Sequence, residues 1–282
     1  MSASALRTRL SAPGLLRLPG VFDPLSALLA EQAGFDGVFL SGSALAYAGL
    51  GRPDVGLMTM TEVADACMRV TDRVSLPVLV DADSGHGNAA NVARTVRLLE
   101  RSGAAAIQIE DQWDKKPVAA LASRPLISTA EMVGKIKAAL DARTDALISA
   151  RTDAALTTSV DDAIERAAAY VAAGADIVFA EGLKSGADMA RLIAAAGATP
   201  VLHNALDGGP GASSDAASLA ALGYRLVLYP GVAIGAAAAA MRDALAGLAV
   251  TGSAQSSLDA KGLNALIGTP DFLAAATRYG AE

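Results

Sequence analysis

The chain has 282 residues, 52% of them hydrophobic and 18% charged, which excludes a disordered chain and fits one large core beneath amphipathic helices. The formal charge is -6, with lysines and arginines spread along the sequence, so no basic patch is offered to nucleic acid. Cys67 is the only cysteine; it excludes an intramolecular disulfide and suits a reducing cytoplasm.

One barrel of about 250 residues with short extensions accounts for the length without a second domain. Residues 1–17 read as an N-terminal segment with Arg7, Arg9 and Arg17 but no signal-type apolar core, so export is not indicated. Short apolar runs then alternate with helix-period segments, the pattern of a parallel sheet buried under helices. Strands are expected at Leu18–Val21, Gly37–Leu40, Pro77–Asp81, Ala106–Glu110, Leu147–Arg151, Ile177–Glu181, Pro200–Asn204 and Arg225–Tyr229. Gly34, Gly103, Gly174 and Gly223 each precede one of these runs, where a left-handed residue ends a helix and turns the chain into the next strand. Eight strand–helix units predict a (β/α)8 TIM barrel over 18–240; periodicity alone leaves an open doubly wound sheet as the alternative. Cys67 shares a helical stripe with Val63, Ala64 and Val70 and reads as a buried apolar residue, not a nucleophile. The longest apolar run, Leu226 to Met241, contains Pro230 and is shorter than the ~18–20 residues a bilayer span needs, so no membrane is expected. A helical extension over 241–282 completes the chain.

The polar residues cluster where these runs end. Ser41, Asp81 with Asp83, Glu110 with Asp111, Arg151, Glu181 and Asn204 follow on, or close, six of the eight. Strand ends of a parallel barrel share one face, so these groups converge on one pocket. Asp81 and Asp83, two apart, point to one side of a strand and repel each other unless a cation or proton lies between them. Oxygen-only ligands favour Mg2+, or Mn2+, over zinc, and Glu110 with Asp111 can complete the shell.

Val80-Asp81-Ala82-Asp83-Ser84-Gly85-His86-Gly87-Asn88 resembles the metal-binding signature of the isocitrate lyase and phosphoenolpyruvate mutase superfamily, and Ile109-Glu110-Asp111-Gln112 resembles its next motif. The similarity runs from about Pro19 to Pro230: Pro19–Ser26 matches the opening strand and turn, Ser41-Gly42-Ser43 the substrate-carboxylate loop, and Gly51–Gly56 a loop with a further acidic residue, Asp54. The resemblance implies that Asp81 and Asp83 hold Mg2+ directly or through water, with Asp54 and Glu110 in the wider shell. It implies that Ser41, Gly42 and Ser43 bind a substrate carboxylate, that Arg151 pairs with a carboxylate through its planar fork, and that Glu181 and Asn204 line the substrate site. For Arg151 an ion pair with Asp153 or Glu181 is the alternative. The resemblance also implies a homotetramer with a C-terminal helix exchanged between subunits.

The pattern breaks where Phe39 and Leu40 leave no tyrosine hydroxyl just before Ser41, where Asn204 is followed by Ala205-Leu206-Asp207-Gly208-Gly209 and not by the lyases' polar Thr-Glu, and above all in the loop after the Glu110-Asp111 motif. The lyases of this superfamily carry there a cysteine that serves as general acid, followed by a histidine; here the positions are Val118 and Ala120, while Lys116 matches the loop lysine. Valine transfers no proton, so classical methylisocitrate cleavage would need another acid, for which His86 is a candidate beside a supporting hydrogen-bond role. Decarboxylation of an oxaloacetate-like 2-oxo diacid needs no such acid, because water can protonate the enolate that remains. The first expectation is therefore a Mg2+-dependent carbon–carbon lyase of this decarboxylating kind. Retro-aldol cleavage of a 2-hydroxy acid with a different acid, carbon–phosphorus chemistry, and a non-catalytic dicarboxylate binder are the alternatives.

Overall fold

The computed structural model describes residues 3–113, 125–205, 215–253 and 258–280. Its eight strands are β1 (Leu16–Val21), β2 (Val38–Leu40), β3 (Val78–Asp81), β4 (Ala106–Glu110), β5 (Leu147–Thr152), β6 (Ile177–Ala180), β7 (Val201–Asn204) and β8 (Leu226–Tyr229). All pair in parallel and in sequence order, and β8 returns to β1, so the sheet is a closed barrel and the open alternative falls away. Pro77 and Pro200, expected inside strands, stand just before β3 and β7, since proline has no N–H to give a ladder.

The helices are α1 (Ala3–Ser11), α2 (Pro24–Gln32), α3 (Gly42–Leu45), α4 (Met60–Arg73), α5 (Ala89–Arg101), α6 (Thr129–Ala142), α7 (Ala154–Thr157), α8 (Val160–Ala172), α9 (Gly186–Ala196), α10 (Ala216–Leu222), α11 (Val232–Thr251), α12 (Ala260–Leu266) and α13 (Thr269–Arg278). A short π-helical turn, Ala46–Leu50, extends α3. Local signals fix many helix starts: Asp23 caps α2 ahead of Pro24, and Thr59 with Glu62 and Asn88 with Asn91 form reciprocal caps on α4 and α5. The expected left-handed glycines are present before their strands, with φ of 80° at Gly34 and 94° at Gly103.

Alternation along the strands divides the core in two. Val78, Val80, Ile107, Ile109 and Ile148 point outward to meet helix residues such as Val92, Val96, Met132 and Ile136. Leu18, Phe39, Leu79, Ala106, Leu147, Phe179 and Leu202 point inward and fill the barrel. Ala3, Leu6 and Leu10 of α1 join this inner cluster, so the N-terminal helix plugs the end at which the strands begin. Where β1 meets the segment after β8, a Cβ on Gly20 would lie 2.2 Å from the Pro230 carbonyl oxygen, so only glycine allows the seam to close this tightly.

The chain divides into two compact units, Met1–Ile234, which holds the barrel, and Gly235–Glu282. The apolar run read as too short for a membrane continues as α11, whose 20 residues suffice by length and composition to cross one. The apolar run ends at Met241, but the helix accommodates Arg242 and Asp243 and runs on to Thr251. Length and composition alone assign it no membrane role.

Cys67 is fully buried, and burial pushes its thiol up to about 12. The native protein is therefore expected to resist a thiol-alkylating reagent at pH 8 and to take up one equivalent only when denatured. Fast labelling of the folded protein would show that α4 opens.

Candidate active site

The strand ends gather the predicted residues at one mouth. Ser41 follows β2 and caps α3; its hydroxyl accepts from Ala44 N–H and lies 3.1 Å from that of Ser43. Gly42 N–H points at Asp81 Oδ2 at 3.4 Å, and a Cβ on Gly42 would approach that oxygen to 2.9 Å. The small loop and the first acidic residue thus touch, and glycine is what permits it. Asp83 N–H donates to Asp81 Oδ1 (3.2 Å), and Glu110 N–H donates to the Asp83 carbonyl (2.8 Å), which ties the three acidic positions together. Asp83 and His86 have φ of 48° and 59°, a left-handed conformation that non-glycine residues adopt at a cost.

Arg151 stands opposite Glu110 in the β4–β5 register. Its Nε lies 2.7 Å from Asp153 Oδ1 and 3.4 Å from Glu110 Oε2, and its Nη2 lies 3.4 Å from Glu181 Oε2. The guanidinium also sits over the Phe179 ring at 5.2 Å. Burial opposes the charge, but Asp153, Glu110 and Glu181 outweigh it and hold the guanidinium ionised well above its ordinary range. The ion pair with Asp153 and Glu181 considered as an alternative is therefore present. It leaves Nη1 without a hydrogen bond among the described residues. Glu181 takes Asn204 Nδ2–H (2.9 Å) and Gly182 N–H (3.1 Å); this fixes the Asn204 amide, whose buried Oδ1 has no partner among the described residues.

Asp54 is half-buried in the segment leading to α4. Lys116, Val118 and Ala120 lie outside the described residues. Asp111 departs from the expectation that it completes the acidic shell. It is fully buried and accepts from Tyr170 Oη (2.7 Å), Arg166 Nη1 (3.2 Å) and Asp153 N–H (3.0 Å), so it braces the segment beside Arg151. Burial, then the Asp111 charge, raises the Tyr170 hydroxyl pKa, so it remains a donor. Neither Tyr170 nor Arg166 was singled out, because both read as ordinary residues of an amphipathic helix. His203 packs edge-on against Tyr224 at 5.2 Å. His86 lines a cavity of ≈ 460 Å³ beside Asp83 together with Leu57, Met58, Met60, Arg94 and Trp113.

Among the described residues no three His, Cys, Asp or Glu side chains close into an all-protein cage. Mg2+ fits such a donor set, since it binds through one or two carboxylates and keeps several waters. Asp81 and Asp83 would hold it, with Glu110 alongside.

Fold and mouth together define a (β/α)8-barrel enzyme, with its chemistry at the C-terminal ends of the strands. The profile of the phosphoenolpyruvate phosphomutase family matches residues 6–249, and the chain belongs to that family, within the isocitrate lyase and phosphoenolpyruvate mutase superfamily. It is 42% identical over 245 residues to 2,3-dimethylmalate lyase of Eubacterium barkeri, covering 86% of this chain and 84% of that one. It is 44% identical over 244 residues to oxaloacetate decarboxylase of Rhodopseudomonas palustris (strain BisB18), covering 86% and 83%. A solved phosphonopyruvate hydrolase complex with oxalate and Mg2+ superposes with a TM-score of 0.88 at 31% identity, covering 99% of both chains. The chain is thus an enzyme whose curated relatives include carbon–carbon lyases.

Two outcomes follow from this geometry. Arg151→Lys keeps a charge but loses the fork that engages Asp153, so diacid affinity is expected to fall about tenfold or more; oxalate binding by calorimetry checks it, and an unchanged Kd would remove Arg151 from the ligand site. One layer below, Gln108 and Ser149 are register partners whose buried side-chain polar atoms have no partner among the described residues. Gln108→Met is expected to leave thermal stability equal or higher, because an apolar side chain carries no unmet hydrogen bonds. A loss above ~1 kcal/mol would mean that solvent satisfies the amide.

Proposed function

We propose that the protein is a Mg2+-dependent lyase that breaks a carbon–carbon bond of a small 2-oxo or 2-hydroxy diacid, with decarboxylation of an oxaloacetate-like substrate as the first reading. The observation that carries it is the buried Arg151, whose Nη1 has no hydrogen bond among the described residues and would meet one carboxylate, while the Ser41–Gly42–Ser43 loop would take the other. Mg2+ held by Asp81 and Asp83 would supply positive charge to draw electrons from the breaking bond. Ser41, Gly42 and Ser43 orient one end of the diacid, and Arg151 donates to the other through Nη1, since Asp153 occupies its fork. Asp153, Glu110 and Glu181 keep that arginine charged and in place. As carbon dioxide leaves, the bonding electron pair passes to the 2-oxo group, and water protonates the resulting enolate carbon. The valine at position 118 is compatible with this reaction because no acidic side chain is required.

One feature favours a second reading, retro-aldol cleavage of a substituted malate. Asn204 Oδ1 is an acceptor, which suits a substrate hydroxyl and not a 2-oxo oxygen. Glu181, bonded to Asn204, could take the hydroxyl proton as the carbon–carbon bond breaks, water or the protonated Glu181 could then protonate the carbon released, and the apolar side chains beside Asp83 would take alkyl substituents. We also propose that α11 to α13, which expose Met241, Leu245, Phe272 and Leu273, are exchanged between subunits of a homotetramer.

The test is product identification with oxaloacetate and 2,3-dimethylmalate side by side. Oxaloacetate is expected to give pyruvate and carbon dioxide in a 1:1 ratio, with activity lost in EDTA and restored by Mg2+ or Mn2+. Full turnover in EDTA would refute the metal requirement. Cleavage of the malate alone, sensitive to Asn204→Leu, would decide for the second reading.

A further inference from the structure

Two buried side chains on the outer helices reach the loop that carries Asp83. Lys135 of α6 is fully buried, and its Nζ donates to the Ser84 carbonyl at 3.0 Å. Thr95 of α5 is equally buried, and its hydroxyl donates to the next carbonyl, that of Gly85, also at 3.0 Å. Packing alone does not call for Lys135. Its neighbours on the inward stripe of α6 are Met132, Ile136 and Ala139, and burying an ammonium there costs hydration that a methionine would not lose.

The loop explains what the lysine does. Asp83, Gly85, His86 and Gly87 all have positive φ, of 48°, 86°, 59° and 135°. Left to itself the chain would relax away from that shape at the two non-glycine residues, so the surroundings must fix it. They do so carbonyl by carbonyl: Ala82 O accepts from Gly85 N–H, Asp83 O from Glu110 N–H, Ser84 O from Lys135 and Gly85 O from Thr95. The first two ties come from the backbone. The last two come from side chains and can be removed singly.

We propose that Lys135 and Thr95 are positioning residues that clamp the Ser84 and Gly85 carbonyls and thereby aim the Asp83 carboxylate at a divalent cation shared with Asp81. This rests on the reading of Asp81 and Asp83 as the metal site. The two members of the clamp differ in charge, which makes the proposal sharp. An ammonium repels a cation, so removing Lys135 for charge reasons alone would tighten metal binding, whereas loss of the clamp weakens it; Thr95→Val changes no charge at all.

The experiment is Mn2+ titration of the full chain by electron paramagnetic resonance, alongside thermal melting and the metal dependence of activity. Lys135→Met is expected to raise the Mn2+ Kd about tenfold or more, and Thr95→Val about fivefold. Lys135→Arg, which keeps a donor, should restore part of the loss. In each variant activity should need more metal, while kcat at saturating metal stays within about threefold of wild type. If Lys135→Met does not fold, Thr95→Val decides. Folded variants whose Mn2+ Kd lies within twofold of wild type, or below it, overturn the clamp even if they melt earlier, because a merely structural role lowers the melting temperature and leaves metal affinity alone. Wild-type protein that binds no Mn2+ overturns the metal site itself and the clamp with it.

Discussion

A guanidinium enclosed by three carboxylates sets the terms for the mouth of this barrel. Arg151 is nearly buried, and removing one partner from a buried charge cluster typically costs ~3–5 kcal/mol. Its partners come from three consecutive strand ends, so the cluster exists only when β4, β5 and β6 hold their register. Asp153 is braced in turn by Gln112 Nε2 at 2.5 Å and, through its N–H, by Asp111, which takes Tyr170 and Arg166 from α8. A continuous chain of hydrogen bonds thus runs from the mouth to an outer helix. Packing of α8 and orientation of Arg151 are one problem with one solution.

The strands were legible because a doubly buried strand must be a short apolar run, and the loop glycines and caps mark where helices stop and start. The site was legible for a related reason: the core rejects charge, so Asp81, Glu110, Arg151 and Glu181 stand out at strand ends. What the sequence concealed are polar groups acting from helices. Lys135 lies within Glu131-Met132-Val133-Gly134-Lys135-Ile136-Lys137, where a lysine beside a second lysine reads as a solvated face. A clue was available, since Lys135 is three residues from Met132 and four from Ala139 and so falls on the apolar stripe. Asp111 misled in the opposite direction. Adjacent to Glu110 in sequence, it points elsewhere, because successive residues leaving a strand face opposite sides.

The two readings of the chemistry share binding residues and differ in the handling of protons. In the decarboxylating reading the side chains hold a diacid and water does the rest. In the retro-aldol reading Glu181 takes a proton and Asn204 orients the hydroxyl that gives it. Both readings draw on the same charged side chains, Arg151 with Asp153, Glu110 and Glu181.

The seam between β1 and β8 bears on how the molecule comes into being. Leu16 pairs with Leu226, about 210 residues downstream, a loop whose closure costs roughly 5 kcal/mol of chain entropy. A ribosome needs about 10–40 s to make that stretch. Until β8 emerges, β1 waits with one edge bare, beside the plug helix and the glycine that will later press against Pro230. In a nascent chain that has formed β1, that edge stays open to neighbouring copies and to chaperones until β8 closes the seam.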